Sequence, residues 1–301
     1  MSILTAEMPG FKRHCISVNE VQINCATAGT GPALLLLHGH PQNLIVWRKV
    51  AQAFVDAGFS VVASDLRGYG DSSKPDGGPN HINYSKRTMA KDQVELMRYF
   101  GHQQFSVIGH DRGGRVAHRL ALDFPSAVNS IVVIDIAPTA TMYEKTDMEF
   151  ARRYFWWFFL IQDAPLPETL IGHDPEFFLR KHINTQLANP DAGQVSDAVF
   201  DDYLRCYEQP EMIHAVCEDY RAAATIDLQH DATDNIARIQ APLLALWGEY
   251  GTVGKLYDVL QTWQDKATHV SGRSLPCAHS LMEEQPELFI TEVLGFLEAI
   301  R

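Results

Sequence analysis

Five short apolar runs, separated by stretches with helical spacing, constrain this chain more than any other feature. Ala33–Leu37, Ser60–Ser64, Phe105–Ile108, Ser130–Ile134 and Pro242–Trp247 are each four to six residues long and nearly free of polar side chains. A strand covered by helices on both faces reads as such a run, because neither face meets water. Lys86–Phe100 and Gly114–Leu122 lie between these runs and space their apolar residues for helices, as does the closing segment Pro286–Ile300. Strands alternating with helices predict a mostly parallel central sheet of the α/β class. Cys15–Val18 and Val21–Ala26 predict an opening hairpin, and a further short strand is expected near Ala267–Ser271.

From about Pro138 to about Ile236 the alternation stops. The segment is aromatic-rich and punctuated by Pro165, Pro167, Gly172, Pro175, Pro190 and Pro210, which predicts several short helices. The expected organisation is a core formed by residues 1–137 and 238–301, with residues 138–237 as an inserted all-helical cap subdomain. An insertion there lies over the strand ends, where open α/β sheets take their ligands. At 301 residues and 46% hydrophobic content, the chain has enough apolar side chains for one large core plus such an insertion. No repeats or low-complexity tracts interrupt it.

A formal charge of −12 repels polyanions, so nucleic acid and anionic membranes are not expected partners. The longest apolar run, Tyr154–Ile161, has eight residues, against the roughly 20 of a membrane helix. The start of the chain has no basic stretch leading into an apolar one, so no secretory signal is read there. The five cysteines are scattered and show no C-x-x-C spacing, as expected of reduced thiols. The expected location is cytoplasmic, and the sequence leaves a homodimer open.

The chemistry concentrates at Gly109-His110-Asp111-Arg112-Gly113. A β-rich run precedes it and a helix follows, the setting in which a sharp glycine-flanked turn holds a nucleophile exposed. Here the central residue is aspartate, not serine. A carboxylate that attacks a saturated carbon displaces a leaving group and leaves an ester, which water can hydrolyse; attack on an ester or amide would create an anhydride. Asp111 therefore points to opening of alkyl halides or epoxides. The alternative role is a cap on the following helix. Gly172-His173-Asp174 repeats the tripeptide, but Pro175 follows and no strand precedes, which predicts a turn or helix start.

Six motifs in order, Leu37-His38-Gly39-His40-Pro41-Gln42, Asp65-Leu66-Arg67-Gly68-Tyr69-Gly70, Gly109 through Arg115, Ile134-Asp135-Ile136-Ala137-Pro138, Cys217-Glu218-Asp219-Tyr220-Arg221 and Ala278-His279, span nearly the whole chain. Through them the sequence resembles the α/β-hydrolases and, within them, the haloacetate and fluoroacetate dehalogenases. The resemblance implies the chain order nucleophile, acid, histidine, which makes His279 the expected base acting on water. The acid is expected at Asp135, at the end of its strand, with Glu249 as the alternative after the strand ending at Trp247. The backbone N–H groups of His40 and Arg112 are the expected oxyanion hole. His38 and His40 also have the look of a metal pair, but partner ligands at usual spacing are missing and no metal is expected.

Arg112 and Arg115 narrow the substrate. Related epoxide hydrolases and haloalkane dehalogenases typically have Trp after the aspartate, whereas guanidinium groups bind carboxylates bidentately and keep their charge on burial. The expected partner is a small halogenated acid. The resemblance also implies halide binding by Trp156, Trp157 and Tyr220, with Trp156 standing where the family has histidine. An indole supplies one donor, so chloride or bromide is expected ahead of fluoride. Gly251-Thr252-Val253-Gly254-Lys255 lacks the Ser/Thr and first glycine of a phosphate loop, and no G-x-G-x-x-G is present, so no cofactor is expected. The implied reaction converts a 2-haloacetate to glycolate and halide. An epoxide hydrolase, with Tyr220 and Tyr154 as acids, is the rival of the same fold. A non-catalytic ligand-binding protein of the fold is the other.

Overall fold

The computed structural model describes residues 3–234 and 236–300. Eight strands, β1 (Lys12–Val18), β2 (Val21–Ala28), β3 (Ala33–Leu37), β4 (Ser60–Ser64), β5 (Phe105–His110), β6 (Val128–Ile134), β7 (Leu243–Gly248) and β8 (Val270–Leu275), form one sheet in the order β1-β2-β4-β3-β5-β6-β7-β8. β1 and β2 form the hairpin and β2 pairs antiparallel with β4, while every pairing from β4 to β8 is parallel. The order places β5, the strand that ends at the elbow, between β3 and β6, so the ends of all three meet at one place.

The five apolar runs each became a strand. β3 and β5 are buried at every residue, which follows from coverage on both faces. Burying one such leucine is favourable by about 2 kcal/mol, so the register of these strands is strongly held. The eighth strand lies three residues later than the expected Ala267–Ser271. Ala267 makes only an isolated parallel bridge to Ile239, and β8 alternates half-buried and exposed positions as an edge strand with one neighbour. Its polar alternation hides it from a search for apolar runs.

Helix α1 (Lys86–Tyr99) starts at Ser85, whose side chain accepts the Thr88 N–H, and α2 (Arg112–Asp123) starts directly after Asp111. Between β6 and β7 the described residues contain helices and no strand. Four of these matter below: α3 (Trp156–Phe159), α4 (Pro175–Thr185), α5 (Asp197–Tyr207) and α6 (Pro210–Ala224). Asp174, in the repeated tripeptide, caps α4 by accepting the Phe177 N–H at 3.0 Å, which is the helix start that the following proline predicts. Helix α7 (Pro286–Ala299) closes the chain and packs Phe289 against Trp47 and Phe54. No helix of the described residues is long and apolar enough to cross a membrane.

Candidate active site

The turn after β5 is strained at its centre. Asp111 has φ +45° and ψ −111°, outside the regions an ordinary side chain favours. The turn fits because its neighbours lack side chains: a Cβ on Gly113 would collide with the carbonyls of Leu37 and His38, which are backbone and cannot move aside. The Gly113 N–H instead donates to the His38 carbonyl at 2.9 Å, binding the elbow to the end of β3. Asp111 thus projects its carboxylate from the start of α2, where the helix dipole favours negative charge. Its side chain makes no cap bond to α2, which removes the capping alternative.

The backbone N–H of His40 donates to Asp111 Oδ1 at 3.0 Å, so that N–H sits where the oxyanion hole was expected. The other expected donor, the Arg112 N–H, is in the first turn of α2, where backbone donors lack helical partners. Burial by itself would raise the Asp111 pKa, but the charges of His279, Arg112 and Arg115 outweigh it and hold the carboxyl well below the usual carboxylate range.

Asp135 follows β6 and also has positive φ, +48°. Its Oδ2 accepts the His279 Nδ1–H at 2.5 Å and its Oδ1 accepts the Gly248 N–H at 2.9 Å. Glu249 is exposed, with its N–H on the Leu275 carbonyl, so the histidine's carboxylate partner is Asp135 and the Glu249 alternative falls away. Burial lowers the pKa of His279, but the hydrogen bond and charge of Asp135, joined by Asp111, outweigh it and raise the value above ordinary histidine. The ring lies tilted against that of His110, centroids 4.5 Å apart, and the His110 Nε2–H donates to the His279 carbonyl at 3.0 Å. Burial pushes His110 down to about 3, so this neighbour stays neutral.

Above Asp111 lies a cavity of about 350 Å³. Trp156, Trp157 and Tyr220 line it together with His40, Tyr154, His182, Gln186 and His279, and Arg153 and Lys255 also reach it. Among the described residues no hydrogen bond engages the indole N–H of Trp156 or Trp157. Tyr220 Oη lies 3.4 Å from His40 Nδ1, and His40 Nε2 lies 2.8 Å from the Tyr207 hydroxyl. Tyr207 is fully buried with that nitrogen as its hydroxyl's partner, so we assign its O–H as donor to His40 Nε2. His40 then donates from Nδ1 to Tyr220, and the Tyr220 hydrogen is left for the cavity. His38 uses both ring nitrogens locally, on the Gly39 carbonyl and the Leu66 N–H, which leaves no pair for a metal.

Neither expected arginine lines the cavity. Asp219 of α6 takes the Arg112 guanidinium in a fork, Nε to Oδ2 at 2.8 Å and Nη2 to Oδ1 at 3.0 Å, while the Tyr220 ring stacks 4.2 Å from it. Arg115 donates to the Ala137 carbonyl and the Thr139 hydroxyl and stacks 4.7 Å from the Trp157 ring, with no carboxylate partner among the described residues. Each keeps one buried nitrogen without a partner: Nη1 of Arg112 and Nε of Arg115.

Two cavity residues were not read from the sequence. Gln186 donates from Nε2 to the His40 carbonyl at 2.8 Å, and its backbone carbonyl accepts the His279 N–H at 3.0 Å. It thereby joins the loops that carry the oxyanion donor and the histidine. His182 of α4 is the other. Neither belongs to a motif, and only the fold brings α4 over the elbow.

The α/β-hydrolase fold family matches residues 32–286. The chain is 44% identical over 278 residues to a fluoroacetate dehalogenase from a Burkholderia species, covering 92% of this chain and 91% of that one. It is 32% identical to a soluble epoxide hydrolase from Corynebacterium sp. strain C12, over 96% and 98% of the two chains. A solved structure from Salmonella enterica superimposes with a TM-score of 0.95 at 57% identity, covering 97% of each chain. The chain is a hydrolase of the α/β-hydrolase superfamily, and within it belongs with the haloacetate and fluoroacetate dehalogenases.

Proposed function

We propose that this protein hydrolyses 2-haloacetates to glycolate and halide. The observation that carries the substrate class is the pair of uncommitted guanidinium nitrogens, Arg112 Nη1 and Arg115 Nε, buried beside the elbow. A buried donor without a partner costs about 1–3 kcal/mol, and one carboxylate supplies acceptors for both. Both nitrogens are sealed, so engaging a substrate carboxylate requires the side chains around them to shift.

With the carboxylate held there, Asp111 Oδ2 attacks the α-carbon, because Oδ1 is the atom on the His40 N–H. The C–O bond forms as the carbon–halogen bond breaks, and the electron pair leaves with the halide toward the Trp156, Trp157 and Tyr220 donors. The product is an ester whose carbonyl oxygen is Oδ1. His279 then takes a proton from water, and the hydroxide adds to the carbonyl carbon of Asp111. Negative charge develops on Oδ1, already aligned with the His40 N–H and next to that of Arg112. Collapse breaks the bond between that carbon and Oδ2, glycolate leaves with the proton from His279, and the Asp111 carboxyl, whose second oxygen now comes from water, releases water's remaining proton to solvent and returns to the carboxylate. The carbonyl thus becomes oxyanion and returns without moving, which is the advantage of a prearranged hole. Asp135 keeps the imidazole oriented and stabilises its cation.

A second reading is supported by one observation: Tyr154 and Tyr220 both line the cavity, and two hydroxyl donors are what an opening epoxide oxygen requires. Halide release and diol formation, measured side by side with fluoro-, chloro- and bromoacetate and styrene oxide, separate the two. The expected result is release from chloro- and bromoacetate ahead of fluoroacetate, with no diol. Diol without halide would overturn the dehalogenase reading in favour of the epoxide one.

A further inference from the structure

His182 is a buried ionisable side chain that the proposed mechanism leaves unused. It projects from α4 into the cavity wall, 4% exposed, with its ring 4.3 Å from Trp156 and 4.4 Å from His40. Its Nδ1 is sealed and has no partner. Nε2, also without a protein partner among the described residues, is not sealed and is the ring atom left with access to the cavity.

These facts settle where its proton sits. Burial, with the neighbouring His40 and His279 adding to it, holds the ring well below ordinary histidine and therefore neutral. A neutral imidazole carries one N–H and one lone pair. The hydrogen goes to the nitrogen that a ligand or water can reach, leaving the lone pair at the sealed position. The ring thus offers an N–H donor to the cavity while adding no positive charge. Its edge meets the cavity beside Trp156, one of the indoles whose donors are also uncommitted.

Resting on the dehalogenase reading above, we infer that His182 is a leaving-group ligand: its Nε2–H donates to the departing halide alongside the indoles of Trp156 and Trp157. A halide in an apolar wall needs several donors to replace its hydration, and His182 supplies one that no sequence motif signals. The step itself is unchanged. His182 neither gains nor loses a proton, and it stabilises charge that accumulates on the halogen only as the carbon–halogen bond breaks.

The test is halide binding itself. Sodium bromide is titrated at constant ionic strength, balanced with sulfate, and read by quenching of tryptophan fluorescence in the wild type, H182Q and H182F, each checked for folding by circular dichroism. Gln can place an amide N–H near the position of Nε2, whereas Phe keeps the packing against Trp156 without a donor. Loss of one hydrogen bond to a charged group predicts bromide binding weaker by about tenfold or more in H182F, with H182Q retaining most of the affinity. The kcat for chloroacetate falls further than that for bromoacetate, because the poorer leaving group depends more on donors. Bromide affinity in H182F within about twofold of wild type, well short of the tenfold step that one such bond predicts, overturns the inference. So does an equal loss in both variants, which would make ring packing the cause. Bromide binding that depends on His182 in a protein that releases no halide from any haloacetate would contradict the dehalogenase reading and leave the halide site standing.

Discussion

At the scale of single residues, opposite electrostatic demands are met within one cavity. Asp111 is held ionised by surrounding positive charge, while the pKa of His279 is raised by Asp135 and Asp111. The two steps should therefore respond differently to pH. In single-turnover measurements, ester formation is expected to be flat from about pH 5 to 9, since Asp111 stays ionised well above its lowered pKa. Ester hydrolysis should rise with pH through a value above about 6.5, the ordinary histidine pKa, because only neutral His279 accepts a proton. The stability linkage has the opposite sense. The His279–Asp135 pair stabilises the fold fully below the histidine's unfolded pKa, and the contribution fades as pH rises through the higher folded value. Asp111, Asp135 and His279 were legible in the sequence because each ends a strand or starts a loop in a motif. The place of Arg112 and Arg115 behind the elbow was legible, but their partners were not. Asp219 lies 107 residues from Arg112, and nothing local announces that it occupies most of the guanidinium.

At the scale of elements, β5, its turn and α2 form the unit that matters, and its tolerance is set by backbone contacts. Gly113→Ala places a methyl against two carbonyls at the end of β3. Such overpacking is expected to destabilise by about 3 kcal/mol, measured as a lower urea midpoint at unchanged m-value. The same clash pushes the elbow away from β3 and loosens the His40 N–H contact to Asp111, so halide release should fall as well. The elements themselves were largely visible from apolar runs and helical spacing. Those signals come from burial on both faces, which is why they failed at β8, an edge strand with a polar face. Pro175 marks the start of α4, but nothing in its pattern announces that His182 and the adjoining Gln186 reach the cavity.

At the scale of the whole molecule, a buried carboxylate joins the helices between β6 and β7 to the helices and loop that flank the sheet. Asp219 of α6 receives Arg112 from α2, Lys86 from the start of α1 and the Tyr69 hydroxyl from the loop after β4. Asp219→Ala would strand two cations in the interior and is expected to destabilise by about 3–5 kcal/mol, read from urea unfolding; a loss under 1 kcal/mol, the range of an exposed pair, would contradict that description. Asp219 takes two nitrogens of Arg112 and leaves Nη1 without a partner among the described residues. The proposed turnover depends on the aspartyl ester, and His279→Asn tests it most directly by removing the base for its hydrolysis while leaving Asp111 able to attack. Mixed with chloroacetate and examined by intact mass, the variant is predicted to gain one carboxymethyl group, located on Asp111, with one equivalent of chloride released. Steady turnover by the variant, or chloride release with no gain in mass, would contradict the account.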